Sequence, residues 1–175
     1  MTTSLVFRKL EPGDSAAYRE LRLECLRAHP LTFGSLPEEE GAMATLPFEA
    51  AIERASVDAS IVGAFEGDRL VGIVGMDRDP RRKTRHRGHI RQVYVKAECR
   101  GRKIGESLMR LAIETAFAID GIEQLELGVV TENSAAISLY SSLGFEPCGV
   151  QVNYFKVDGV YRHQQTMQLF KQAAR

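Results

Sequence analysis

Residues 100–106 combine three basic side chains and two glycines immediately before a helical pattern. The first N–H groups of a helix have no partner within the helix, and together with the helix dipole they attract an anion. The basic side chains would add positive charge, and the glycines would let a ligand approach the main chain. A helix start with solvated basic residues is the alternative, because short glycine motifs recur by chance. We predict a pyrophosphate-binding loop made of Arg100, Gly101, Arg102, Lys103, Ile104, Gly105 and Glu106.

The stretch from 92 to 105 also resembles the acetyl-CoA signature of the GNAT N-acetyltransferase superfamily. That signature reads Arg or Gln, two residues, Gly, one residue, and then Gly or Ala. Arg100 and Gly105 match its two ends, whereas Lys103 stands in place of its middle glycine. Lysine still offers a main-chain N–H group at this position.

Residues 133–140, which read Asn-Ser-Ala-Ala-Ile-Ser-Leu-Tyr, and Leu-Gly-Phe at 143–145 resemble the second signature of the same family. Two signatures at compatible spacing are more specific than one, and the resemblance covers about residues 90–146. It implies a V-shaped gap between the strand before the loop and a strand over 125–130, with the pantetheine of acetyl-CoA in the gap. The further coenzyme-binding residues that it implies are Val93, Tyr94, Val95, Asn133, Ala136 and Tyr140.

Tyr140 stands where the resemblance places the general acid, near the sulfur of the coenzyme. A phenol with a reference pKa of about 10 can protonate a departing thiolate. Tyr140 also falls on the apolar stripe of a helical pattern, so a core role is the alternative. Asn133 is similarly ambiguous, because it could contact the coenzyme or cap the helix that follows it.

Family members often carry a glutamate as the general base on the strand before the loop, and counting back from Arg100 leads to His89 at this place. An imidazole with a reference pKa of about 6.5 can take a proton near neutral pH, directly or through water. A lone histidine at a strand start is often structural, and Glu126 and Glu132 are the carboxylate alternatives. Main-chain N–H groups of residues 93–95 would polarise the thioester carbonyl.

The elements that must position these residues can be predicted from periodicity and turn chemistry. A helical stripe begins after Asp14, the expected N-cap, and stops at His29-Pro30. Residues 35–38, Ser-Leu-Pro-Glu, have the form of a capping box, so we expect a second helix that reaches Arg54. Helices are also predicted over 104–119 and 133–143, and strands over 5–10, 60–65, 70–76, 89–95, 124–130, 145–155 and 161–170.

The resulting order is one strand, two helices, three strands, a helix, a strand, a helix and two strands. This order is typical of an α+β fold with a mixed sheet. Together with the resemblance, it predicts the GNAT acyl-CoA N-acyltransferase fold, which some schemes describe as a three-layer α/β fold. We expect a mostly antiparallel seven-stranded sheet flanked by about four helices, in a single N-acetyltransferase domain over 1–175.

The 23 basic and 23 acidic side chains cancel, so the molecule offers no net field that would attract nucleic acid or an anionic membrane. The basic stretch 81–87 lacks the interleaved aromatic residues of a nucleic-acid site, and we predict a solvated loop between strands. The three cysteines lie far apart without metal-ligand spacing, and no apolar run has the length of a membrane span. These features predict a cytoplasmic protein without a metal.

These observations predict an enzyme that moves the acetyl group of acetyl-CoA directly to a primary amine in a ternary complex, as the resemblance implies. The amine could belong to a small molecule or to a protein, because the segment 31–54 and the last hairpin, which would line the acceptor site, carry no recognisable signature. A non-catalytic acyl-CoA sensor is the alternative, since the expected strand glutamate is missing. The resemblance also implies a homodimer formed through the terminal strands.

Overall fold

The computed structural model describes residues 4–172. In this range seven strands form one sheet, connected by five α-helices and one 3₁₀ turn. The strands are β1 (Leu5–Lys9), β2 (Ala59–Glu66), β3 (Arg69–Arg78), β4 (Arg87–Val95), β5 (Gln124–Val130), β6 (Glu146–Val157) and β7 (Val160–Phe170). The helices are α1 (Ser15–Ala28), α2 (Pro37–Ala42), α3 (Pro47–Glu53), α4 (Ile104–Phe117) and α5 (Ser134–Ser142), and the 3₁₀ turn (Ala97–Cys99) precedes α4.

The sheet has the strand order β1-β2-β3-β4-β5-β7-β6. Neighbouring strands are antiparallel except for β4 and β5, which are parallel. A parallel pair needs a crossover connection, and α4 provides it here. The predicted α+β class with a mixed, mostly antiparallel seven-stranded sheet is confirmed.

Helices cover both faces of this sheet. β2 and β3 are therefore buried along almost their whole length, which explains their continuous apolar runs in place of an alternating pattern. On one face α4 and α5 pack over a core that includes Leu108, Met109 and Phe145. On the other face α1 and α3 pack over a core that includes Tyr18 and Ile52. The sheet is thus the middle of three layers.

β4 and β5 are hydrogen-bonded at one end and separate at the other. Their paired residues end with His89 opposite Glu126, although β4 continues to Val95 and β5 to Val130. β4 also has a bulge, since Gln92 adopts a φ of 55° and the register with β3 shifts nearby. The V-shaped gap that the sequence resemblance implies lies between these two strands.

The prediction of a single helix over residues 35–54 is wrong, because α2 and α3 are separate helices. A proline pushes the preceding residue toward extended backbone, and Leu46 before Pro47 has a ψ of 150°. The cap of α2 lies one residue later than predicted, at Leu36, whose main-chain N–H donates to Glu39 at 3.2 Å. Residues 4–172 consequently contain five α-helices where about four were expected.

The other predicted elements are present, with ends shifted by a few residues. The turn between β6 and β7 is formed by Asp158 and Gly159, whose φ values are 50° and 80°, as a two-residue hairpin turn requires. The basic stretch lies between strands as expected, although β4 already begins at Arg87. Arg85 in this stretch forms an ion pair with Asp58 at 2.6 Å. Throughout the described part of the chain, every helix lacks the length and apolar character that crossing a membrane requires.

Gly72 on β3 lets α4 and β4 pack closely beside the gap. A Cβ at this position would lie 2.9 Å from Cδ1 of Leu108 and 3.1 Å from the carbonyl oxygen of Tyr94. We predict that Gly72→Ala lowers the free energy of unfolding by about 1–3 kcal/mol, because overpacking strains the core. Urea unfolding measures the change. Gly149→Ala is the matched control, since a Cβ at Gly149 meets no atom of residues 4–172 within 4 Å; equal stability of the two variants would contradict the prediction.

Candidate active site

The loop between β4 and α4 presents main-chain N–H groups at the start of a helix. After the 3₁₀ turn the chain is extended at Arg100 and takes positive φ at Gly101 (76°) and Lys103 (58°). Lys103 is the N-cap of α4, and its carbonyl accepts the N–H of Ser107 at 3.1 Å. The N–H groups between these two residues therefore have no partner within the helix. This is the geometry that an anion-binding loop requires.

Lys103 holds a left-handed conformation that suits glycine. A side chain in this region costs about 1–2 kcal/mol relative to the right-handed conformation. The loop thus makes its turn although lysine replaces the glycine of the family signature. The departure in sequence leaves the backbone donors in place and adds strain.

The side chains of the loop contact several neighbours. Arg102 forms an ion pair with Glu66 at 2.8 Å, and Glu106 pairs with Arg110 at 2.9 Å, one helical turn further on. A cavity of about 480 Å³ lies between the loop and α5. The predicted coenzyme-binding residues in its walls are Val95, Arg100, Gly101, Lys103, Ile104, Gly105, Glu106 and Ala136.

His29, which sequence reasoning misses, contacts this loop from the end of α1. Arg100 donates to Nε2 of His29 at 2.8 Å, so this ring nitrogen carries a lone pair and the imidazole is neutral. The ring also meets Tyr94 edge to face, with the two centroids 5.7 Å apart. Burial, and after it the charge of Arg100, lowers the pKa of His29 below its usual value. His29 therefore links α1 to the loop.

The side chains of residues 93–95 point alternately to the two faces of the sheet. Val93 and Val95 pack against the core under α4, whereas Tyr94 lies on the α1 side and donates to Glu24 at 3.0 Å. Burial and the neighbouring Glu24 raise the pKa of Tyr94. Because β5 diverges from this segment, its main chain on the gap side is the part that can bind a ligand.

Asn133 is the N-cap of α5. Its side-chain oxygen accepts the N–H of Ala136 at 3.2 Å, so the capping interpretation holds. This bond does not use the side-chain NH₂ group. Asn133 also lines a cavity at the open end of the gap, together with Arg100.

Tyr140 lies on α5 and is 7% exposed. Its ring packs edge to face on Phe145, with the centroids 6.2 Å apart. Burial raises the pKa of Tyr140 to about 12, so the phenol is protonated at neutral pH. Tyr140 is thus a core residue by packing, and its hydroxyl group retains a proton.

His89 stands at the closed end of the gap, opposite Glu126. Its Nδ1 lies 3.8 Å from a Glu126 oxygen, and its Nε2 lies 3.8 Å from an Asp79 oxygen. Both distances exceed that of a direct hydrogen bond. Arg87 forms an ion pair with Glu126 on the same side. The structure therefore brings two of the candidate bases, His89 and Glu126, together.

Glu132, the third candidate base, lies beyond the opposite end of β5. It pairs with Arg162 at 3.3 Å, and its side chain is 49% exposed. At about 3.3 Å per residue, β5 spans about 13 Å from Glu126 to its end at Val130, and Glu132 lies two residues beyond that end. The structure thus separates Glu132 from the closed end of the gap.

Two adjoining cavities form one groove across the closed end of the gap, which we call the vertex groove. The first cavity, of about 520 Å³, is lined by parts of α1, α2, β4, β6 and the loop over residues 32–35. The second, of about 480 Å³, extends to His89, Glu126 and Cys148. The residues that line both cavities are Ile90, Arg91, Gly128, Tyr154 and Gln164.

The vertex groove is partly roofed by a contact between β6 and the α1–α2 loop. A Cβ at Gly34 would lie 3.0 Å from the ring of Phe155, which shows how closely they pack. Phe155 reaches this position because β6 bulges at Asn153, whose φ is 57°. Nδ1 of His163 accepts the main-chain N–H of Asn153 at 2.9 Å and stabilises the bulge.

Arg22 and Glu40 are charged residues of the groove, and sequence reasoning misses Arg22. Arg22 is 3% exposed, and its Nε and Nη2 donate to the two Glu40 oxygens at 2.9 and 2.6 Å. Burial disfavours the charged carboxylate, but Arg22 holds the pKa of Glu40 below its usual value. The sequence signal that could identify Arg22 as a buried charge is its place on the same helical stripe of α1 as Leu21 and Cys25.

Cys25 and Cys99 are free and buried, and Cys148 is free and exposed. Over the described range 4–172, no three His, Cys, Asp or Glu side chains are arranged so that they could hold a metal ion.

The family model of the Acetyltransferase (GNAT) family matches residues 17–145 of this chain. This range contains the loop between β4 and α4, both diverging strands and α5, which together frame the gap. The chain belongs to the GNAT acetyltransferase family. The family membership predicted from the two signatures is therefore confirmed.

Relatives of this GNAT protein are found in sequence and in structure. The "N-alpha-acetyltransferase RimI" of Mycobacterium tuberculosis is 36% identical over 107 residues, which are 61% of this chain and 65% of that protein. The match thus spans slightly less than two thirds of that relative's length. A GNAT-family acetyltransferase from Streptococcus pneumoniae has a TM-score of 0.83 at 23% identity and covers 96% of this chain and 100% of its own. The putative acetyltransferase yncA from Salmonella typhimurium, solved with its cofactor acetyl-CoA, has a TM-score of 0.77 at 20% identity. The match covers 97% of this chain and 96% of that chain. These structures confirm the GNAT fold.

The strain at Lys103 leads to a prediction about stability. We expect Lys103→Gly to have a free energy of unfolding about 1 kcal/mol above that of Lys103→Ala, because glycine adopts this φ without the side-chain clash. Urea unfolding of the two variants measures the difference. Both variants remove the lysine charge, so the comparison isolates the backbone, and equal stabilities would show that Lys103 is not strained.

The lowered pKa of His29 predicts a loss of stability in mild acid. Its folded-state pKa lies below the unfolded value of about 6.5, so the unfolded chain binds more protons as the pH falls below that value, and the free energy of unfolding decreases. His29→Phe keeps a ring against Tyr94 but does not titrate. We therefore expect the variant to lose less stability than the wild type between about pH 7.5 and about pH 5.5. An identical pH dependence of urea unfolding in both proteins would contradict this assignment.

Proposed function

We propose that this protein is an N-acetyltransferase that moves the acetyl group of acetyl-CoA directly to a primary amine within a ternary complex. The observation that carries the proposal is the gap between β4 and β5. β4 runs from the vertex groove, at the closed end of the gap, toward the open end of the gap. Beyond that open end lies the proposed anion-binding loop, residues 100–106. A coenzyme in the gap and an amine in the groove would meet at the closed end of the gap, so the transfer requires no covalent intermediate on the protein.

In this proposal the pyrophosphate of acetyl-CoA binds the N–H groups at the start of α4. The pantetheine runs along residues 93–95, whose main chain lacks a paired residue on β5. A strand without its neighbour offers N–H and C=O groups that can pair with the amides of pantetheine. An N–H of this segment would polarise the thioester carbonyl. Asn133 and Ala136 would contact the coenzyme from α5.

Tyr140 is the proposed general acid. Its raised pKa keeps the proton on the phenol until the carbon–sulfur bond breaks. A thiolate that forms in a similarly apolar environment is a stronger base than in water, because burial disfavours its charge. Transfer of the phenolic proton to that sulfur would neutralise the leaving group.

His89 is the proposed general base, and Glu126 or a bound water molecule is the alternative. The His89 ring faces carboxylates of Glu126 and Asp79 at 3.8 Å, so a proton taken from the amine would lie close to negative charge. At these separations a water molecule could also relay a proton between the His89 ring and a carboxylate. The distance of Glu132 from the closed end disfavours it as the base.

The acceptor would be a small molecule or a protein amine. The name of the mycobacterial relative, an N-alpha-acetyltransferase, supports keeping protein amines among the candidates. We also propose that the protein acts in the cytoplasm, where the buried free thiols of Cys25 and Cys99 would stay reduced. A homodimer through the terminal strands is supported by the position of β6 at the sheet edge, with Val150 and Val152 exposed.

A non-catalytic acyl-CoA sensor is the second candidate function, because a histidine stands where a strand glutamate is expected. Incubation with acetyl-CoA and a panel of primary amines distinguishes the two, with free thiol and acetylated products measured separately. If the protein is an enzyme, we expect both free thiol and acetylated product. Coenzyme binding without thiol release would favour the sensor, and the absence of binding and release would contradict both.

The role of Tyr140 is tested by Tyr140→Phe, which removes the hydroxyl group and keeps the ring against Phe145. We expect kcat to fall by about 10²- to 10⁴-fold, the usual contribution of a general acid. The dissociation constant of acetyl-CoA should stay within about twofold, since the phenol acts on the leaving sulfur and not on the phosphates. Tyr161→Phe, at a half-exposed tyrosine of β7, is the matched control. An unchanged kcat in Tyr140→Phe would contradict the assignment.

A further inference from the structure

The acidic side chains of the vertex groove are already neutralised by arginines. Among the described residues, the three carboxylates in its lining each form an ion pair. A polyamine carries several positive charges, and its recognition would call for carboxylates that are free to pair with it. The three ion pairs in the lining of the groove join Arg22 to Glu40, Arg91 to Asp77, and Arg87 to Glu126.

Arg22 has a donor that these pairs leave unused. Glu40 takes the Nε and Nη2 groups, whereas Nη1 has no hydrogen-bond partner among residues 4–172. Arg22 is 3% exposed and lines the larger cavity of the groove. An unsatisfied N–H of a charged, buried group is unfavourable, and a site that needs this donor for a ligand would explain it.

The surroundings of the guanidinium indicate which partner Nη1 would take. The thiol of Cys25 lies beside it on α1, but burial raises the pKa of Cys25 to about 12, and a neutral thiol is a weak acceptor. The ring of Phe33 covers the guanidinium, with its centroid 5.2 Å from the Arg22 Cζ atom. An oxygen of an incoming molecule would be the stronger partner, and it would have to move the Phe33 ring.

The position of Arg22 places this donor near the gap. Tyr18 lies one helical turn before Arg22, about 6 Å along the axis of α1. The Tyr18 hydroxyl group donates to the side-chain oxygen of Gln92 at 2.9 Å, and Gln92 forms the bulge of β4 at the gap. Arg22, Tyr18 and Gln92 line the same cavity, so a molecule held by Arg22 would lie in the cavity that reaches the bulge of β4.

We propose that Arg22 recognises the acceptor: Nη1 donates to a carboxylate or carbonyl oxygen that lies close to the reacting amine. The acceptor class is then the α-amino compounds, either a free amino acid or the amino end of a peptide. These two sources share the same chemistry, an oxygen two bonds from the carbon that carries the amine. The inference rests on the proposed function of this groove as the acceptor site.

The test uses sets of three matched acceptors with the wild-type protein and acetyl-CoA. Each set contains an amino acid, a dipeptide that begins with this amino acid, and the amine that remains after its decarboxylation; spermidine is the polyamine probe. We expect kcat/KM for the amino acid or the dipeptide to exceed that for the decarboxylated amine by about 10- to 100-fold, as for a hydrogen bond from a charged group. The better substrate of the two identifies the source of the oxygen.

Arg22→Lys keeps a positive charge beside Glu40 but loses the planar fork and with it the spare N–H. In this variant the preference for the oxygen-bearing acceptor should fall by about 10-fold or more. Arg19→Lys is the matched control, because Arg19 lies on the same helix and pairs with Glu49 at 2.8 Å outside the groove lining. Its preference should equal that of the wild type.

Turnover of decarboxylated amines or spermidine at the same efficiency as amino acids and dipeptides would overturn the inference and leave the proposed function intact. The same holds for an Arg22→Lys variant that keeps the full preference. If every amine is inert although acetyl-CoA binds, both the proposed function and this inference fail.

Discussion

The hydrogen bonding between β4 and β5 ends at His89 and Glu126, and the site depends on this interruption. Main-chain N–H and C=O groups in the middle of a sheet normally pair with the neighbouring strand, and unpaired groups need water or a ligand instead. β3 on the far side of β4 and β7 on the far side of β5 hold the two strands in place while they diverge. The fold thus exposes donors and acceptors without giving up the rigidity of a sheet.

Contacts on both sides of the gap fix its shape. The Tyr18 hydroxyl group ties α1 to the bulge at Gln92, and Arg100 ties the loop before α4 to His29 at the other end of the same helix. On the β5 side, Gly128 has no side chain, and a Cβ there would lie 2.5 Å from the side-chain Nε2 atom of Gln164. Helix α1 and the residue that ends it therefore contact both the bulge of β4 beside the vertex groove and the loop before α4.

The features that could be predicted from the sequence depend on neighbours along the chain. The loop over 100–105, the cap at Asn133 and the turn at Asp158 follow from local residue preferences and appear in the structure. The prediction of one helix over 35–54 is wrong because Pro47 keeps Leu46 before it in extended backbone, and this interrupts the helical pattern. The contacts of Arg22 with Glu40 and of His29 with Arg100 join residues 18 and 71 positions apart, so spacing along the chain carries little signal for them.

We propose that the main chain at the gap and at the start of α4 binds the coenzyme. Amide hydrogen exchange, measured residue by residue with and without saturating acetyl-CoA, tests it directly. We predict slower exchange at N–H groups within residues 93–95 and 101–106, because a bound pantetheine and pyrophosphate would accept their hydrogen bonds. Saturation with acetyl-CoA that leaves exchange in both segments unchanged would contradict it.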